Sequence, residues 1–304
     1  MPKTRFRWMA MAGCSLMTLA GCGSSSASSS VGAKLAVNPE AGLLAAVKNT
    51  ESAAGAKLEF SVDFQLAGVP GTPNTSVAQG GTGQVDPATG AARLDFAPSS
   101  DTGNVPLSIV FAGKTAYVNA PAFGGPAGDW VKITPNTKLP TGSAGPLQIS
   151  ASELVSASPI ALLSIGKGVG SPRFENVALS TPNGVVKAVR YSGVVGPSGE
   201  KGISSLIGGI ANLGGGSSGS AATTELLGVQ ARAVIWTYHH KIAKEQITLD
   251  FSKFFQQLLS ALGSKTSSKK VKVVATIVMD LGPYQITTPV TVPPNSSLVG
   301  IPAG

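Results

Sequence analysis

A chain of 304 residues with 42% hydrophobic and only 12% charged positions can bury a sizeable core. Its formal net charge of +8 is thin over that length, and the one dense basic run, residues 265–272, is too short to form the stripe that nucleic acid requires, so nucleic acid is excluded as a partner. The two cysteines, Cys14 and Cys22, both lie near the N-terminus and leave no disulfide to staple the rest.

The N-terminus carries Lys3, Arg5 and Arg7, followed by a mostly apolar run over residues 8–20. That run falls short of the about 20 apolar residues that span a bilayer. A basic start, a short apolar stretch and small residues at its end make a secretory signal. Leu19, Ala20, Gly21 and Cys22 resemble the bacterial lipobox, in which the cysteine thiol is diacylated and the chain is cut before it. Residues 1–21 are thus expected to be a lipoprotein signal peptide and Cys22 the lipid-anchored N-terminus. The alternative is an ordinary signal peptide with an incidental cysteine. Cys14 follows a similar tetrapeptide, but too little apolar sequence precedes it. Once the leader is gone, the net charge drops to about +5. Residues 22–34 are mostly small and polar, so they read as a flexible tether. A dozen such residues span roughly 20 Å, enough to hold a domain clear of the headgroups.

Residues 35–304 read as one domain. An amphipathic segment, 40–52, predicts a helix. Residues 56–68 then alternate strictly: Leu58, Phe60, Val62, Phe64 and Leu66 fall on one face, and Lys57, Glu59, Ser61, Asp63 and Gln65 on the other. Period-two alternation means a strand in a sheet with one apolar and one wet face. Strands are expected at 82–85 and 92–96, around a turn signal at 86–90. A hairpin follows at 107–112 and 115–119, turning at Gly113-Lys114, and then a strand at 130–133.

The period then changes. Ser150 and Glu153 fit a capping box, and Ser158-Pro159 fits an N-cap with proline at the first helical position, so two short helices are expected. Strands return at 174–179 and 184–195. Ile203, Leu206, Ile207, Ile210 and Leu213 form one helical stripe, which Gly208 and Gly209 weaken. Residues 214–220 read as a loop. Strands at 229–238 and 242–249 flank a turn at His239-His240-Lys241. Phe251, Phe254, Phe255, Leu258, Leu259 and Leu262 then mark the strongest helix, with Asp250 to cap its start and Gly263 to end it. Strands at 271–281 and 284–292 close the chain. Few, one-sided helices between hairpins imply an α+β fold, an antiparallel sheet with its apolar face covered by helices.

In order, these features resemble the LppX/LprAFG family of actinobacterial lipoproteins, within the LolA-like carrier fold. The residues that carry the resemblance are the lipobox and serine tether, the strand KLEFSVDFQLAG and the block FAGKTAYVNAP…GDWVKI. The helix SPIALLS, the strand GVVKAVRYSGVV and the hairpin VIWTYHHKIAKEQITLDF complete it. Residues 251–270 depart from the family as an extra helix and loop within a hairpin. The resemblance implies a curved antiparallel half-barrel with helices across its concave apolar side. It implies a cavity of several hundred Å³ for the acyl chains of an envelope lipid or lipoglycan, and no enzymatic activity. The partners so implied are the cell membrane, on its extracytoplasmic face, an acyl-chain lipid and an envelope transporter protein. Phe60, Phe64, Leu162, Leu206, Ile210, Phe254 and Leu258 are the candidate cavity residues. The bland alternative is that they fill the core between sheet and helices. A different class of function, a non-enzymatic structural or sensory module that docks on a protein partner, fits the same layout with a closed core.

Chemistry is sparse. Residues 215–219 formally match G-x-S-x-G around Ser217, but they sit in a glycine-serine loop and not between a strand and a helix. His239 and His240 are the only histidines, adjacent and without a nearby ligand set, so no metal site is expected. Residues 166–170 lack the Gly-Lys-Ser/Thr ending of a phosphate loop and read as a helix terminator. No cofactor is implied. Growth with labelled palmitate is expected to label the chain, and Cys22→Ser to abolish the label; an equally labelled C22S chain would place the acyl group elsewhere.

Overall fold

The alternation of residues 56–68 becomes the strand around which the sheet is assembled. A computed structural model describes residues 38–96, 107–119, 121, 126–137, 151–181, 183–196, 229–261, 271–285, 288–294 and 296–297. The expected leader, lipobox, tether, 203–213 helix and 214–220 loop lie outside these. In chain order the elements are α1 (Pro39–Glu51), β1 (Ala56–Ala67), β2 (Thr75–Asp86), β3 (Ala91–Phe96), β4 (Leu107–Ala112), β5 (Thr115–Asn119) and β6 (Trp130–Ile133). Then come α2 (Ala151–Ser156), α3 (Pro159–Leu163), a 3₁₀ turn (Ile165–Gly168), β7 (Val169–Thr181), β8 (Gly184–Val195), β9 (Gln230–Tyr238) and β10 (Lys241–Asp250). Helix α4 (Ser252–Ala261), β11 (Lys272–Leu281) and β12 (Ser296–Ser297) complete them.

Among the described residues the strands form one open sheet in the order β12-β6-β5-β4-β3-β2-β1-β11-β10-β9-β8-β7. All pairings are antiparallel except the two-residue contact of β12 with β6. This is an α+β half-barrel, as expected. Strand β1 is internal, bonded to β2 on one side and to β11 on the other, with Leu58 opposite Leu281 and Leu66 opposite Val273. The first strand and the late strand β11 thus meet at the middle of the sheet.

Local chemistry accounts for the ends of the elements. Asn38 accepts a hydrogen bond from Ala41 N at 3.1 Å and Pro39 starts α1. Ser158 Oγ accepts from Ile160 N ahead of Pro159, as the sequence implies. Asp250 Oδ1 accepts from Ser252 N at 2.9 Å at the start of α4. Two-residue turns close the β4–β5 and β9–β10 hairpins. In the second, His239 and His240 both take positive φ, 49° and 58°. That backbone twist suits a tight hairpin but is rare for side chains with a Cβ. Asn49 Nδ2 of α1 donates to the His240 carbonyl and steadies the turn.

The expected strand over 284–292 does not form among the described residues, 284–285 and 288–292. Pro283, Pro289, Pro293 and Pro294 fall in or beside it, and each lacks the N–H that a ladder needs. The described residues of the segment run as irregular chain, tied where Gln84 Nε2 donates to the Thr288 carbonyl, and sheet pairing resumes at β12.

The core lies on the face of the sheet that carries Leu58, here called inner. Leu43 and Val47 of α1, Leu154 and Val155 of α2 and Leu162 and Leu163 of α3 pack on it. Each such side chain contributes about 1.5–3 kcal/mol by leaving water. The outer face is polar. A cross-strand row runs Glu175, Arg190, Trp236, Lys244, Asp280, Glu59 from β7 to β1. Arg190 pairs with Glu175 and Lys244 with Asp280, while both cations stand 5.8 Å from the centre of the Trp236 ring.

Glycine has a steric role in β2. A methyl group on Gly81 would come within 2.8 Å of Phe60 Cζ and 2.3 Å of the Asp95 carbonyl oxygen. Its absence lets the Phe60 ring cross β2 and meet Phe96 edge-on, 4.9 Å between centres. Gly81→Ala is therefore expected to lower stability by about 1–3 kcal/mol, read from urea unfolding. An unchanged midpoint would show that the ring and strand yield without cost.

Candidate functional site

Strand β1 carries the inner face from a closed region into a partly open one. Leu58 is fully covered, whereas Phe60, Val62, Phe64 and Leu66 are half-buried while still packed against the core. The cross-strand partner of Phe64 is Val77, which is 54% exposed. Phe96 and Leu107 extend this half-covered apolar floor across β3 and β4. At the β11 side, α4 packs by Phe255 and Leu259. Phe254 and Phe255 meet edge-on at 5.5 Å. The hydrogen bonds from Phe251 N to the Val273 carbonyl, 2.9 Å, and from Val273 N to Ser252 Oγ, 3.1 Å, fasten the start of α4 to β11.

Of the seven candidate cavity residues, Phe60 and Phe64 lie on this floor. Phe254 is half-buried on α4. Leu162 is buried in the closed core, where α3 lies over β2 and β3. Leu258 lies on α4, and its side chain is not among those described; Leu206 and Ile210 lie outside the described residues, as do Leu19, Ala20, Gly21 and Cys22. An open groove of about 320 Å³ crosses β1, β2 and β11, but its polar lining, Glu59, Ser61, Thr82 and Asp280, belongs to the outward register. It is not the apolar floor. His239 and His240 are exposed in their hairpin turn. Among the described residues no group of three or more His, Cys, Asp or Glu gathers to hold a metal.

The structure adds a group that the sequence reading passed over. Glu245 of β10 is fully buried on the inner face, opposite Met279 of β11 and Ile235 of β9. Neither carboxyl oxygen has a hydrogen-bond partner among the described residues. The signal was present: Glu245, Ile247 and Leu249 alternate, which puts an acid in an apolar register. Burial pushes its carboxyl up from the ordinary 4.5 to about 8. Nearby, Thr50 Oγ1 of α1 donates to the Ala46 carbonyl and accepts from Ile242 N, both at 2.8 Å. Tyr284 Oη donates to the Ile242 carbonyl at 2.7 Å. Burial raises the Tyr284 hydroxyl above its ordinary range, a hydrogen bond with Thr50 opposes this, and the Glu245 charge adds to it. Gly166, read from sequence as a helix terminator, also packs here. A methyl group on it would meet Val47 Cγ2 at 2.7 Å and Ile235 Cδ1 at 3.1 Å.

No family model matches the chain, and no curated protein matches it. Solved structures do. LprF from Mycobacterium bovis is similar at 13% identity over 85% of this chain and 97% of its own, with a TM-score of 0.37. A LolA superfamily protein from Nitrosomonas europaea is similar at 7% identity over 80% and 91%, with a TM-score of 0.27. The ywiB protein from Bacillus subtilis is similar at 8% identity over 75% and 94%, with a TM-score of 0.21. These similarities cover most of each chain in length, and at such TM-scores no function is drawn from them.

The Glu245 shift has a definite sign. The unfolded chain ionises this group near 4.5, and the folded protein keeps it neutral to about 8. Its contribution to stability is therefore fully present below 4.5, falls as pH rises to about 8, and is level beyond. At about 1.4 kcal/mol per pH unit the decline amounts to several kcal/mol. Glu245→Gln is expected to remove that decline in a series of melting temperatures from pH 4.5 to 9; a variant as pH-dependent as the wild type would assign the effect to another group.

Proposed function

We propose that this chain is a membrane-anchored envelope lipoprotein whose inner face holds the acyl chains of a lipid or lipoglycan. The observation that carries this reading is the half-covered apolar floor of Phe60, Val62, Phe64, Leu66 and Val77, continuous with the core. Alkyl chains laid on such a floor gain about 25 cal/mol for each Å² removed from water. Binding is passive, so the reading requires no catalytic group. The Cys22 motif supports the anchor and the extracytoplasmic location, and transfer between membranes or to a transporter follows from the same passive binding.

A second reading, a module that docks on an envelope protein, has its own support. Phe174, Val185 and Val194 are exposed on the β7–β8 hairpin, and β7 is an edge of the sheet.

Organic extraction of the purified full-length chain, followed by mass spectrometry, distinguishes the two. A near-stoichiometric acyl lipid is expected, and Val77→Lys is expected to reduce it at least tenfold. Val77 is already more than half exposed, so the fold tolerates the charge. A lipid-free chain, or one that retains the same lipid in V77K, would remove the floor as the binding site and favour the docking module.

A further inference from the structure

The placement of Glu245 joins helix α1 to a buried acid. Helix α1 packs on β7, β10 and the 3₁₀ turn. Three features hold it over Glu245. Thr50 bonds Ile242, three residues before Glu245 in the same strand. Leu43 and Val47 meet Gly166 together with Ile235, the cross-strand partner of Glu245. Lys167 of the 3₁₀ turn pairs with Glu51 at the end of the helix. The result is a carboxyl with no exposure and no partner, beneath a 13-residue helix.

Among the described residues no other charge resolves the conflict. From β9 and β11 the facing neighbours are Ile235 and Met279. From the segment after β11 comes Tyr284, with Lys241 Nζ 5.5 Å from the centre of its ring. Lys244, next in the chain, turns to the outer face and pairs with Asp280. Glu51 and Lys167 are partly exposed and satisfy each other. His239 and His240 stand at the exposed turn before β10. Among the described residues an ionised Glu245 would have neither a hydrogen bond nor a counter-ion, and the least disruptive remedy is water admitted from the helix side.

We propose that α1 is a proton-linked cover of the inner face, closed while the Glu245 carboxyl is neutral and lifted when that carboxyl gives its proton to solvent. Lifting breaks the Thr50–Ile242 and Asn49–His240 hydrogen bonds and hydrates the carboxylate. It also bares the Leu43, Ala46 and Val47 stripe of the helix. The sheet, whose ladders do not depend on α1, stays paired. Acid closes the cover and alkali opens it. This device goes beyond lipid binding and stands or falls independently of it.

Amide hydrogen exchange of the full-length chain between pH 5 and 9 tests the proposal. Rates are corrected for intrinsic chemical exchange and read separately over α1 and over β1 and β11. In the wild type the opening constant of α1 is expected to rise about tenfold per pH unit and to level near pH 8, where Glu245 titrates. The amides of β1 and β11, which exchange through global unfolding, are expected to open with a constant at least about a hundredfold smaller than that of α1 at every pH, while following the same loss of stability with pH. Glu245→Gln, and Glu245→Leu should the amide variant fold poorly, are expected to give a flat α1 profile. Three outcomes overturn the proposal: a flat wild-type profile, a slope that persists in the variants, or an α1 opening constant no larger than that of β1 and β11, which would mean global unfolding.

Discussion

The structure depends on covering one face of one sheet. Strand β1 sets the problem, because every second residue from Leu58 to Leu66 is apolar and its neighbour β11 repeats the pattern with Leu281, Met279, Ile277, Ala275 and Val273. An exposed sheet face of that kind invites aggregation, and this chain has no disulfide and few aromatics to fall back on. Short helices laid across the inner face are the solution. They succeed over Leu58, Val85, Ile109 and Leu281, which are buried, and leave Phe64 and Val77 partly uncovered. The gradient from closed core to half-open floor along a single strand is what makes this fold suited to holding something apolar.

The same constraint explains the glycines that pack closely. Gly81 lets an aromatic ring cross a strand, and Gly166 lets helix, turn and strand converge on one point beneath α1. Neither position needs a left-handed backbone. Each is small because a neighbour is large: Phe60 in the first case, Val47 and Ile235 in the second.

Glu245 breaks the local agreement that a stable sheet otherwise shows. An acid in the register of Ile247 and Leu249 is a conflict between pattern and burial, and conflicts of that kind gather where a protein does something besides fold. Here it coincides with the only hydrogen bonds described between α1 and β10 or its preceding turn. The hydrogen bonds that fasten the helix to β10 and its turn therefore lie beside the buried acid.

Much of this was legible in advance. Alternation located β1, the Ser158-Pro159 pair located α3, and Asp250 located the start of α4, because each of these signals is local: a side chain's period or a cap within three residues. The described residues of 284–292 form no strand for a reason equally local: prolines remove the donors that a ladder needs. What the sequence by itself determined was the period of each segment, and with it which residues share a face. Only the tertiary structure decided which strands are neighbours, that β1 lies between β2 and β11, that Leu162 is sealed while Val77 is open, and that Glu245 lies beneath α1. Those outcomes rest on contacts between residues more than two hundred positions apart, such as Leu58 and Leu281, and no local pattern encodes the partner of a long-range contact.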